Sequence, residues 1–150
     1  MNSVETLAKR IANLDAYDLI REILRKPATR SLIQTLINEQ LDQGEDGLGN
    51  DLADVGNATG DPYSPSYKKL KQSLGLQTSV VDLKLTGGLR RSIKAVATID
   101  GIETGADYIK DGDDIRDRWG QNLDRLNAES FQIFTEFVQM EIVNKIRSFI

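Results

Sequence analysis

Residues 82–93 read Asp82-Leu83-Lys84-Leu85-Thr86-Gly87-Gly88-Leu89-Arg90-Arg91-Ser92-Ile93. A short apolar run meets a glycine pair, and a run whose apolar residues mostly alternate follows. Glycine takes positive φ without a Cβ clash, so Gly87 and Gly88 predict a sharp turn that feeds a strand. Ile93, Ala95, Ala97 and Ile99 then share one face at a two-residue period, with Ser92, Lys94 and Thr98 opposite. Val96 breaks the pattern, as a partly covered outer face would. Asp100-Gly101 between apolar-rich runs is a two-residue hairpin signal. Strands over 91–99 and 102–108 are therefore expected to pair, with Gly105 a candidate bulge. The other reading of Gly87-Gly88 is a phosphate cradle. That wants a longer glycine-rich loop opening a helix, and the β-prone residues that follow favour the turn.

Helical periodicity dominates on either side of this hairpin. Leu7, Ile11 and Leu14, then Leu19, Ile20, Ile23 and Leu24, recur at three- and four-residue spacing, with Asp15 placed to cap the second run. Pro27 suits the first turn of a third helix. That helix carries the stripe Leu32, Ile33, Leu36, Ile37 and Leu41 and ends at Gly44 as a left-handed cap. Residues 44–62 read as a long loop. Ser64 and Pro65 open a short basic helix closed by Gly75, and Ile115 and Trp119 anchor one helical turn ended by Gly120. Asn127 caps the last helix, with Glu129 in its first turn. Phe131, Phe134, Val138, Ile142 and Ile146 make one stripe there; Ile133, Phe137, Met140 and Val143 make a second. The second stripe meets either the N-terminal helices or a neighbouring subunit, and internal burial is favoured because three upstream helices also need a partner. The expected fold is α+β: N-terminal helices and a long C-terminal helix on a small antiparallel sheet, as one domain over 1–150.

Composition narrows the chemistry. The chain has no cysteine and no histidine, which removes disulfides, zinc–thiolate sites, cysteine nucleophiles and the Ser-His-Asp triad. No cofactor is implied. No apolar run approaches the ~20 residues of a membrane span, and Met1-Asn2-Ser3-Val4-Glu5 lacks the pattern of a signal peptide. The net charge of −4 hides segregation. Glu39, Asp42, Glu45, Asp46, Asp51, Asp54 and Asp61 lie together without a cation; Lys68, Lys69, Lys71, Lys84, Arg90, Arg91 and Lys94 face Asp82 alone. Such alternation suits a molecule that meets copies of itself, basic face to acidic face. A solvated surface with clustered signs accounts for it equally well.

Three chemical readings can be weighed on residues. The loop from Asp42 has Asp46, Gly47 and Asn50 at calcium-loop positions, but Gly44 and Ala53 occupy two positions that need ligands. The helix after Tyr63-Ser64-Pro65-Ser66-Tyr67 combines lysines with tyrosines, as nucleic-acid binders do; inward packing of Tyr67 and Leu70 with solvated lysines is the favoured alternative. Asp82-Leu83-Lys84 has the acid-x-lysine form of magnesium-dependent nucleases, with Asp61 as the upstream acid. A DNA-contacting module would use Lys68, Lys69, Lys71, Arg90, Arg91 and Lys94, against an overall negative charge.

Leu83, Thr86-Gly87, Leu89 and Ser92-Ile93 match the pattern L-x-x-T-G-x-L-x-x-S-I. Around it stand Gln40-Leu41, Gly44, Asp46 and Gly49, then Tyr63-Ser64-Pro65-Ser66-Tyr67, Lys71, Val81, Trp119-Gly120 and Leu126-Asn127. This ordered series resembles phage tail-completion and neck proteins, in particular those of phages of Bacteroidetes, crAss-like phages among them. The likeness covers roughly residues 28–150, which leaves 1–27 as an N-terminal helical extension. It implies a non-enzymatic virion protein, made in the host bacterial cytoplasm, that forms a ring at the head–tail junction or tail-completion site. Its partners would be copies of itself and portal, connector or tail-tube proteins, with DNA in the channel and no membrane. On that reading the contact residues would be Asp46, Asp51, Asp54, Lys68, Lys69, Arg90, Arg91, Asp100 and Gly101, with Gly87 and Gly88 forming the turn.

Overall fold

The computed structural model describes residues 3–12, 15–56 and 63–149. Helices α1 (Ser3–Ala12), α2 (Ala16–Arg25) and α3 (Pro27–Asp42) open the chain, followed by the short α4 (Leu52–Gly56) and α5 (Pro65–Ser73). A further turn of helix, α6 (Gly88–Ser92), leads into strands β1 (Lys94–Ala97) and β2 (Ile102–Gly105). Two-residue strands β3 (Ile109–Lys110) and β4 (Asp113–Asp114), then α7 (Arg116–Trp119), connect to the long α8 (Ala128–Arg147). The fold is α+β and mostly helical, with two small antiparallel hairpins, β1-β2 and β3-β4. No described helix is long and apolar enough to cross a membrane.

The helix ends follow local chemistry. Asp15 accepts from the amides of Tyr17 and Asp18, Ser64 from Tyr67 and Asn127 from Ser130. Each satisfies a first-turn donor that no carbonyl can reach. Pro27 and Pro65 sit in first turns, where a missing N–H costs nothing. Gly44 has φ 81° just past α3 and lets the chain leave the helix.

Helix α3 is the spine. It packs on α2, α8 and β1. Ile33, Ile37 and Leu41 enter a core with Leu52, Tyr63, Val81, Ile93, Ala95, Trp119 and Leu123. Polar groups on the same helix fix its neighbours. The Thr29 hydroxyl donates to the Ile23 carbonyl at 2.6 Å, tying α3 to α2. Buried Gln40 donates to the Arg125 carbonyl and accepts from the Asn127 amide, which sets the start of α8. Lys145 on α8 pairs with Glu22 on α2 at 2.7 Å.

The hairpin departs from its expected bounds. Residues 88–92 are helical rather than extended, and β1 begins only at Lys94. From that helical turn Arg90 reaches Asn38 and Asp42 on α3. Gly87 caps that turn with φ 73°, so its left-handed conformation is used, while Gly88 is the first helical residue. The pairing runs from Lys94 opposite Gly105 to Ala97 opposite Ile102, in regular register with no bulge at Gly105. The Thr98 amide donates to the Gly101 carbonyl at 2.8 Å. The centre of the turn is therefore Ile99-Asp100, one residue before Asp100-Gly101, and Ile99 leaves the buried face for the tip.

Asp111-Gly112 is a second two-residue turn. Both residues have positive φ, 54° and 92°, and they join β3 to β4. Two successive positive φ values are the mark of the type I′ turn.

Candidate functional site

Segment 80–90 is held by two buried networks. In the first, Lys71 Nζ lies 2.6 Å from Asp82 Oδ1 and 3.1 Å from the Tyr63 hydroxyl, and its side chain is fully buried. The same ammonium stands 4.7 Å from the centre of the Tyr63 ring, so it is bound by charge, hydrogen bond and ring face together. The Asp82 carboxylate also accepts from the Lys84 amide at 3.0 Å. Burial pushes the Asp82 carboxyl up, but hydrogen bonds from Lys71, Gln77 and the Lys84 amide outweigh it and leave it below the usual range. Burial likewise pulls the Lys71 ammonium down, and the bonds to Asp82 and Tyr63 outweigh that and raise it.

In the second network, Arg90 clamps the segment to α3. Its Nε donates to the Asp82 carbonyl at 3.0 Å, Nη1 to Asn38 and Nη2 to Asp42 at 2.6 Å. Between these anchors the chain must reverse, and Leu83 takes the strain. It has φ 52°, a left-handed conformation that costs a residue with a Cβ about 1–2 kcal/mol.

Leu83 lines a cleft of about 460 Å³ between α5, segment 83–89, the β3-β4 hairpin and α7. This lies within the range of ligand-sized clefts, roughly 300–1,000 Å³. Its walls are aromatic and aliphatic: Tyr63, Tyr67, Tyr108 and Trp119 with Leu85, Leu89, Ile109 and Ile115. Ser64, Thr86, Asp107, Lys110 and Arg118 supply the polar groups. The rings of Tyr63 and Tyr67 sit 5.2 Å apart, tilted. Arg116 lies over Tyr108 at 4.2 Å and Arg118 over Trp119 at 4.6 Å. Burial, then the neighbouring Tyr63, raises the Tyr67 phenol. Burial, then a bond to Asp124, raises Tyr108 further. Both phenols are neutral at pH 7, so they present rings and hydroxyls rather than charge. The arrangement suits an apolar guest with polar or charged edges.

The expected contact residues fall on separate elements. Asp46 is buried: its carboxylate accepts from the Leu48 and Asn50 amides and from the Asn50 side chain, building the loop from inside. Arg90 is spent on the clamp. Neither serves as an interface residue, and Asp46 has no geometry to spare for calcium. Asp51 caps α4 through the Ala53 amide, and Asp54 is exposed beside it. Lys69 is exposed and Lys68 half-buried on α5. The Arg91 guanidinium is exposed and lies against Gly87, and Asp100 and Gly101 sit at the hairpin tip. Of the acid-x-lysine set, Asp82 is committed to Lys71, Lys84 is exposed, and Asp61 lies outside the described residues. The helix of the tyrosine motif also departs from expectation. Leu70 is 46% exposed, whereas Lys71 takes the inward position.

Sequence reasoning missed the Lys71–Asp82 pair and the cleft. One signal was present: Tyr63, Tyr67 and Lys71 recur at four-residue spacing, which puts Tyr67 and Lys71 on one helical face.

Comparison with family models, with curated proteins and with solved structures gives no match to this chain.

Proposed function

We propose that the protein is a non-enzymatic structural component of a tailed-phage virion, forming a ring at the head–tail junction or tail-completion site. The observation that carries this reading is where the resemblance motif falls. Tyr63, Tyr67, Leu83, Thr86 and Trp119 line one cleft, and Lys71 and Val81 lie beneath it. Residues that mark the family likeness thus belong to one structural unit rather than to scattered turns. Further support comes from apolar surface left in solvent: Ile133, Met140 and Val143 of the second stripe of α8, against the expectation that this stripe is buried, Phe131 of the first stripe, and Ile99 at the tip. Subunits of assemblies carry such surface for their neighbours.

The test is the particle. A reconstruction of the virion should place several copies in a ring touching portal or tail components; a chain that is absent from purified particles, or present without contact to a copy or to those components, defeats the reading. In solution, size-exclusion chromatography should show a monomer or a weak, salt-sensitive association, and a tight salt-insensitive dimer counts against it. Magnesium-dependent DNA cleavage abolished by Asp82→Ala would replace it with the nuclease reading.

A further inference from the structure

The β1-β2 hairpin has two functional ends. Its base runs into the cleft: Leu89 precedes β1, and Asp107 and Tyr108 follow β2. Its tip, residues 98–101, lies at the other end of the ladder, roughly 15–20 Å away at the rise of an extended strand. The tip therefore cannot fill the cleft of its own chain. It carries Ile99, 72% exposed, beside Asp100, with Glu103 also exposed on β2. A lone exposed isoleucine is ordinary; this one is held in place. The Arg21 Nε donates to the Ile99 carbonyl at 3.3 Å, and the Thr98 amide closes the turn on Gly101. The result is an apolar knob with acidic flanks on a preset support, and ordering it costs little on binding.

The cleft presents the opposite character. Its interior is aromatic and aliphatic. On the wall built from residues 63–91 every exposed charge is a cation, Lys69, Lys84 and Arg91, because Asp82 is buried and neutralised by Lys71. On the facing side the signs are mixed: Lys110 and Arg118 line the cleft with Asp107, and Asp111, Asp113 and Asp117 are exposed on the same hairpin and helix. An apolar guest with a carboxylate edge turned to the 63–91 wall fits the interior and that wall's charge.

We propose that the cleft of one copy receives the β1-β2 hairpin tip of a second copy, Ile99 entering between Tyr67 and Leu89 with Asp100 toward the cationic rim. This rests on the ring reading above and names its contact. Donor and acceptor lie at opposite ends of one hairpin, so the contact is head-to-tail, which closes into a ring when the rotation allows and otherwise extends.

The chain has no cysteine and a single tryptophan, Trp119, in the cleft. Ile99→Cys and Thr86→Cys are made as separate full-length variants, mixed at high concentration and oxidised. Tip-to-cleft docking gives the mixed disulfide as the main product, with little Ile99→Cys homodimer. In the unmodified chain Trp119 emission shifts with protein concentration, and in Ile99→Asp the midpoint of that shift rises at least tenfold. A dominant Ile99→Cys homodimer, no cross-link at all, or an association unchanged in Ile99→Asp each overturns the contact. None of these touches the ring reading, which is decided on the particle; conversely, absence from particles ends the ring reading and leaves a mixed disulfide as evidence of a self-associating protein of another kind.

Discussion

Lys71→Met isolates the contribution of the buried pair. At 2.6 Å, with side chains 0% and 4% exposed, the gross attraction is about 6 kcal/mol at an effective dielectric constant of about 20. Desolvation of the two ions offsets most of that. The variant reads a different quantity: a carboxylate stranded in the interior, which costs about 3–5 kcal/mol. Against a total stability of about 5–15 kcal/mol this is a large share, and at this chain length it lowers the melting temperature by roughly 10 °C. Urea unfolding followed by circular dichroism measures it. The pH dependence gives a second, independent signature. In the wild type the lowered Asp82 stabilises above its unfolded value, near 3.8, and that contribution fades as pH falls through the folded value. The raised Lys71 stabilises below 10.5 and fades as pH rises through its own folded value. Between those limits the pair's contribution is flat. In Lys71→Met the unpaired Asp82 carboxyl is pushed up by burial, so the sign inverts and stability rises as pH drops from 8 toward 5. Lys71→Met/Asp82→Leu removes the stranded charge and recovers part of the loss. A loss below about 1 kcal/mol, no inversion with pH, or a double variant whose loss equals the sum of the single ones would refute the reasoning.

Four other substitutions test the framework. A Cβ at Gly47 would lie 2.3 Å from the Arg125 Cβ and under 3 Å from two carbonyl oxygens, whereas one at Gly49 meets nothing within 4 Å; Gly47→Ala should cost about 1–3 kcal/mol from overpacking and Gly49→Ala only the ~1–2 kcal/mol of its positive φ, read by thermal unfolding. Asn127→Ala removes the α8 cap and a 3.0 Å bond to Glu45, for about 1 kcal/mol or somewhat more, with faster hydrogen exchange in the first turn of α8. Arg90→Lys keeps the charge but cannot bond the Asp82 carbonyl, Asn38 and Asp42 at once; a loss of about 1.5–3 kcal/mol in urea is expected, and a neutral result would show the clamp to be dispensable.

What the sequence disclosed was what neighbouring residues decide. Asp15, Pro27, Gly44, Ser64 and Asn127 act within one turn of themselves, and each stands where its side chain or ring predicts. The stretch from Leu89 to Ser92 shows the limit. The strand expected from Arg91 begins only at Lys94, because residues 88–92 form a helical turn, from which Arg90 bonds Asp42, 48 positions earlier. Nothing nearby encodes that bond. The Ile99-Asp100 turn is a milder case: Asp100-Gly101 carried the right signal, and the register of Lys94 against Gly105 moved it by one. Asp111-Gly112 carried the same signal in charged surroundings, where no apolar run announced a strand. The cleft was illegible for the same reason as the clamp, since its walls come from four segments that meet only when folded.

The burial pattern sets charges inside and apolar side chains outside. Lys71, Asp82, Arg90 and Asp46 are inside, while Ile99, Phe131, Ile133, Met140 and Val143 are outside. That exchange adds little to stability: a buried ion pair is often no more stabilising than well-packed apolar residues of the same volume. What the interior charges do provide is direction. Lys71 fixes the Tyr63 ring through its hydroxyl and its face, Asp82 fixes the amide of Lys84, and Arg90 fixes the carbonyl between them. Leu83 is thereby held in a conformation it would not adopt alone, with its side chain in the cleft. Non-directional packing could not hold that residue there, because relaxing its φ would relieve strain without breaking any bond. The polar interior and the cleft are thus one device, and substitutions at Lys71 or Arg90 should reach the cleft through Leu83 and Tyr63 before they reach the rest of the fold.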